Sequence, residues 1–146
     1  MEKFLYDILI PLHPKIVHFP IALFITALGL EVLSRLLKKE RWSQAAFIMY
    51  CFAAIITPGI VLSGLWEEDR LHLHHPVLNQ HKTFGLLTMW MALGSLPLVW
   101  FLQRFPKIFR TIFLILLIVL SITVTMASYY GGKMVYEYGV AVSQSF

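Results

Sequence analysis

Residues 108–130 read Ile-Phe-Arg-Thr-Ile-Phe-Leu-Ile-Leu-Leu-Ile-Val-Leu-Ser-Ile-Thr-Val-Thr-Met-Ala-Ser-Tyr-Tyr, and among them only Arg110 carries a charge. A helix of about 20 apolar residues crosses the ~30 Å of hydrocarbon in a bilayer. Lipid offers the backbone no hydrogen bonds, so a segment this apolar must pair its own N–H and C=O groups, as a helix does. Residues 16–37, 42–66 and 81–102 read the same way. Short polar connections separate these stretches: Lys38-Lys39-Glu40-Arg41, then Glu67 to Gln80, then Gln103 to Lys107. Trp42, Trp66, Trp100, Tyr129 and Tyr130 fall near span ends, where interfacial aromatics gather, and Trp90 lies deeper, as a packing residue. Residues 1–146 are therefore expected to form one all-α domain, an integral membrane four-helix bundle.

Composition agrees. Hydrophobic residues make up 58% of the chain and charged residues 14%, with a mean hydropathy of +0.72. A water-soluble domain carries about 25% charge, so this chain lacks the polar groups to cover a solvated surface. The net charge of +4 does not point to nucleic acid, because the basic residues sit at span ends. The single cysteine, Cys51, lies in a hydrophobic segment and allows neither an internal disulfide nor a cysteine-pair metal site. Residues 16–37 lack the short cationic lead and the small-residue cleavage site of a secretory signal. Pro58 inside the second span is expected to kink it. Gly29, Gly59, Gly64, Gly85 and Gly94 allow close helix approach or room for a flat ligand.

An even number of spans puts both termini and the middle loop on one face. That face carries Lys3, Lys15, Arg70, Lys82 and Lys133 against Glu2, Asp7, Glu67, Glu68, Asp69 and Glu137. The other carries Arg35, Lys38, Lys39, Arg41, Arg104, Lys107 and Arg110 against Glu31 and Glu40. The positive-inside rule makes the second face cytoplasmic, in a multi-pass protein of the inner membrane with both termini outside.

All six histidines, His13, His18, His72, His74, His75 and His81, then fall on the outer face. His18 opens the first span and His81 the third, at similar depth on two parallel helices. Two imidazoles facing one another across a bundle suit a b-type haem with one axial histidine from each helix. Gly85, four residues after His81 and on the same helix face, leaves room for a macrocycle. Lys15, Arg70, Lys82 or Lys133 could offset propionate charge. Phe19, Leu23, Phe24 and Phe84 could line the pocket. The plainer reading of His72, His74 and His75 is a solvated loop, and of His13 a turn before the helix. A zinc or copper site is the chemical rival, with His18 and His81 or the loop histidines as nitrogen ligands. The spacing matches no structural zinc pattern, and Cys51, Met126 and Met134 do not cluster as copper ligands. Glu31, about 20 Å deeper along the helix than His18, could serve a proton path, although Arg35 four residues later reads as its ion-pair partner. The Glu67-Glu68-Asp69 run reads as a solvated loop start or as a docking patch for a basic partner.

The stretch Leu12-His13-Pro14-Lys15-Ile16-Val17-His18-Phe19-Pro20-Ile21-Ala22-Leu23 resembles the opening motif of the bacterial membrane proteins in domain-of-unknown-function family 2231. His81 with Gly85 is similar to that family's middle motif. Tyr130-Gly131-Gly132-Lys133-Met134-Val135-Tyr136, followed by Gly139-Val140, resembles its closing motif. The resemblance implies four spans, a role for His13, His18 and His81, and a respiratory or redox setting. It implies nothing for His72, His74 and His75. Gly131-Gly132 is expected to end the fourth helix, so that the chain folds back and brings Lys133 and Tyr136 near His18 and His81.

These readings combine into a small cytochrome b-like protein. It is expected to hold one haem b near the outer face through His18 and His81, with His13, Gly85, Lys133 and Tyr136 beside it. It would pass electrons between a quinone pool and an extracytoplasmic redox protein, as a homo-oligomer or a subunit of a larger complex. No histidine lies near the cytoplasmic ends, so haem-to-haem transfer across the bilayer is not expected. The alternatives are a histidine-based zinc or copper binding or transport protein and a non-catalytic subunit of a respiratory complex.

Overall fold

The computed structural model describes residues 12–72 and 75–139. Glu2, Lys3, Asp7, His74 and Val140 lie outside the described residues. Helix starts and stops follow local chemistry. Pro14, Pro76 and Pro106 occupy the first two positions of their helices, where a missing N–H costs nothing. Lys38 (φ 54°) and His72 (φ 49°) close the helices before them in the left-handed conformation, which returns their N–H groups to carbonyls of the last turn. The resulting elements are α1 (His13–Ile16), α2 (His18–Leu37), α3 (Glu40–Leu71), α4 (Pro76–Leu102) and α5 (Pro106–Tyr136). Val17 joins α1 to α2 with helical dihedrals, φ −61° and ψ −23°, and the two act as one span.

Four spans are long and apolar enough to cross a bilayer, running His13–Leu37, Glu40–Arg70, Pro76–Leu102 and Pro106–Tyr136. The all-α membrane bundle expected from the sequence is the observed fold. The helices overrun the stretches that hydropathy marks. The fourth runs through Gly131-Gly132 to Tyr136 instead of ending at the glycine pair. Two glycines permit a stop but do not impose one, and Lys133 to Tyr136 carry the helix one turn further.

Buried positions recur at alternating steps of four and three residues. In α2 they are Pro20, Phe24, Ala27, Glu31 and Ser34. In α3 they include Ser43, Ala46, Tyr50, Ala53, Thr57, Ile60 and Glu67. In α5 they include Phe113, Leu117, Leu120, Val124 and Ala127. This 3.5-residue repeat keeps a single seam of each helix toward the bundle axis. The outward faces carry Phe19, Ile55, Trp90 and Trp100, large apolar groups that lipid covers.

Around the axis α2 packs on α3 and α5, and α4 packs on α3 and α5, whereas among the described residues the backbones of α2 and α4 do not approach closely. The two parallel helices of the histidine pair are therefore diagonal partners across the axis. Each of the four neighbouring interfaces carries a polar bond between helices. Ser43 Oγ donates to Glu31 Oε2 (2.5 Å), and Tyr50 Oη donates to the Ala92 carbonyl (3.0 Å). Thr88 Oγ1 donates to Thr123 Oγ1 (2.9 Å), and Arg110 Nη2 donates to Ser34 Oγ (3.1 Å). Lipid tails are as apolar as the helix surfaces, so such bonds and close packing hold the helices together in place of a hydrophobic drive.

Candidate functional site

At one end of the bundle the seam positions of the first and third spans are histidines. His13, Val17 and Pro20 continue the four-then-three spacing of Phe24 and Ala27 back toward the chain start, so His13 points at the axis. His18 is one residue, about 100° of helix rotation, past Val17. It is exposed and does not line the cavity described below. The expected pairing of His18 with His81 is thus corrected: the ring that faces His81 is that of His13. Their centroids lie 5.9 Å apart, with planes at 79°.

Each imidazole is seated in the same way on the other helix of its hairpin. His13 Nδ1 donates to the carbonyl of Ile60 on α3 (2.9 Å), with Ser63 Oγ 3.1 Å away. His81 Nδ1 donates to the carbonyl of Ala127 on α5 (2.7 Å). Four residues beyond each acceptor is a glycine over which the ring lies. A Cβ at Gly64 would come 2.8 Å from His13 Cε1, and one at Gly131 would come 3.2 Å from His81 Cε1. The two hairpins therefore repeat one device: a carbonyl that orients the imidazole, and a glycine one turn later that admits it. No repeat is visible in the residue types along the chain, because only the histidine and the glycine are shared.

A carbonyl oxygen only accepts, so both Nδ1 atoms carry the proton, and Nε2 is the ring nitrogen left to serve another partner. Among the described residues neither Nε2 has a hydrogen-bond partner. The cavity that both histidines line has a volume of about 170 Å³ and a mainly apolar wall that includes Val17, Ile21, Val61, Leu78, Val124 and Met134. Gly85 also lines it, and a Cβ there would meet nothing within 4 Å. Glu67 is buried in the wall and sits 3.4 Å from Arg70. Glu68 closes the rim through Lys82, which donates to both carboxylate oxygens at 2.8 and 3.0 Å.

Lys133 and Tyr136 do not reach this space. Because α5 continues as a helix, Lys133 turns to Glu137 (3.4 Å) and Tyr136 is 89% exposed. Met134 and Val135 reach the cavity instead. His72 and His75 stand apart from this cavity. His72 is an exposed helix cap. His75 caps α4, accepting at Nδ1 from Val77 N (3.2 Å), and its ring lies 4.4 Å from that of Tyr138. Among the described residues no three His, Cys, Asp or Glu side chains gather closely enough to hold a metal ion. Residues 9–144 match the model of a family described as predicted membrane protein (DUF2231). No curated protein and no solved structure matches the chain.

Proposed function

The chain belongs to this family of predicted membrane proteins, and we propose that it is a one-electron carrier holding a single b-type haem between His13 and His81. The observation that carries this reading is the pair of imidazoles with centroids 5.9 Å apart, each held at Nδ1 by a backbone carbonyl. An acceptor on the far ring nitrogen is the usual support of a metal-binding histidine. A metal–imidazole bond is about 2.0–2.1 Å, so two such rings on opposite sides of one metal have centres roughly 6 Å apart, near the separation found here.

Donor count separates haem from a bare ion. Zinc sites draw three or four ligands from the protein, and here two nitrogens converge with no third donor among the described residues. A pair of histidines would suffice for a metal already held within a macrocycle, and His13 and His81 would be that pair. The enclosed space of about 170 Å³ is comparable to a cavity that takes one benzene ring. A porphyrin would be gripped at its centre and left open at its edge. When bound, the group supplies reversible one-electron transfer. His13 and His81 hold the iron, the carbonyls of Ile60 and Ala127 keep both rings oriented, and Gly64, Gly85 and Gly131 leave the room.

The site lies at the end assigned to the outer face of the cytoplasmic membrane, opposite the seven-cation end. A lipid-soluble quinone and an extracytoplasmic redox protein are the partners that placement serves. The test is the visible spectrum of detergent-purified protein produced with haem available. A Soret band lost in His13→Ala and in His81→Ala but kept in His18→Ala is the expected result. Colourless protein, or a band indifferent to His13, overturns the proposal. Stoichiometric zinc or copper in the colourless protein would favour the metal-ion reading instead, and metal-free protein that co-purifies with other subunits would favour an assembly role.

A further inference from the structure

We infer that the end of the bundle opposite the histidines binds the phosphodiester headgroup of an anionic phospholipid. That end has more N–H donors than acceptors. Glu31 is buried and, among the described residues, is the one buried carboxylate at that end. It accepts from Arg35 Nε (3.2 Å), lies 3.7 Å from Arg110 Nε and accepts from Ser43 Oγ (2.5 Å). One negative charge thus stands against two guanidinium groups. Arg110 Nε and Trp42 Nε1 are buried without a hydrogen-bond partner. Ser34 Oγ, which accepts from Arg110, donates to the Lys39 carbonyl (3.0 Å), so the first loop and the start of α5 form one cluster.

Around this cluster Lys38, Lys39, Arg41, Arg104 and Lys107 are exposed. No carboxylate among the described residues lies within ion-pair distance of any of them. Arg41 lies 5.9 Å from the Trp42 ring and Arg104 lies 5.6 Å from the Phe101 ring, so both cations are held at the depth of interfacial aromatics. A phosphodiester supplies the two things lacking, a negative charge and acceptor oxygens. Inorganic phosphate shares that chemistry. The lipid is favoured because exposed Leu36, Leu37, Phe105 and Ile108 flank the cations and offer acyl chains a surface. Basic pockets between spans recognise lipid headgroups in this manner. The inference is independent of the histidine site.

The experiment measures the thermal unfolding midpoint of the whole protein in neutral detergent micelles with added phosphatidylglycerol, phosphatidylcholine or inorganic phosphate at matched ionic strength. Phosphatidylglycerol alone is expected to raise the midpoint. The triple variant Lys38→Gln, Lys39→Gln, Lys107→Gln should raise the phosphatidylglycerol concentration needed for a given rise by roughly fivefold for each cation removed, with an unchanged midpoint in phosphatidylcholine. The milder Lys107→Glu should shift that concentration in the same direction, and it decides the matter if the triple variant does not fold. Equal stabilisation by inorganic phosphate, no response to phosphatidylglycerol, or an undiminished response in the variants overturns the inference.

Discussion

The two ends of the bundle use buried polar groups in opposite ways. At one end Glu31, Arg35, Arg110, Ser34 and Ser43 close on one another. At the other, His13 and His81 are each tied down by one ring nitrogen and line a cavity. Burying a polar group is costly unless it is paired. The cluster ties its one carboxylate to partners on three helices, whereas each imidazole keeps one ring nitrogen without a hydrogen-bond partner among the described residues.

If this contrast is right, damage at the closed end reads out as stability. Glu31→Ala leaves Arg35 and Arg110 with no carboxylate, and loss of one member of a buried ion cluster is worth about 3–5 kcal/mol. A matching fall in unfolding free energy is expected, with the Soret band of the surviving folded protein unchanged. A stable Glu31→Ala protein with an altered spectrum would erase the distinction between the ends.

At the open end the effect is on ligand affinity. Gly64→Ala places a methyl 2.8 Å from His13 Cε1, and the ring must move off its carbonyl. Disturbing the support of a metal ligand costs about tenfold or more in affinity, measured here by haem titration. Gly131→Ala, with the closer atoms of His81 at 3.2 Å, should do less, and the reverse order would contradict the seating geometry. The smallest effect belongs to the region between the ends. Tyr50→Phe removes the bond to the Ala92 carbonyl and should cost about 0.6 kcal/mol, seen as a slight drop in the unfolding midpoint without spectral change.

Much of this site was legible in residue types, but not its pairing. His81 and Gly85 stood out as an intramembrane histidine with space one turn later. His18 was the natural partner by depth alone, since both histidines open a span. Helix phase gives the other answer: the steps 20, 24, 27, 31 and 34 run through the buried positions of α2 and extend back to the half-buried positions 17 and 13, and 18 is off that line. The role of Gly64 could not be read in the same way. Its value depends on His13 lying over it from another helix, and nothing in the local sequence around Ser63-Gly64-Leu65 shows that approach. Lys133 and Tyr136 were misplaced because a glycine pair that could end a helix was read as one that does.

The sequence by itself determined four membrane-spanning helices and the concentration of histidine at one end and cation at the other. Lipid forces any long apolar segment to satisfy its own backbone, and charge is too costly to sit anywhere but near the interfaces. Only the tertiary structure decided that the first and third spans stand diagonally across the axis and that His13 meets His81. It also decided that Ile60 and Ala127 orient the two rings. Those outcomes depend on helix phase and on the order of helices around the bundle, which arise from packing between segments far apart in the chain.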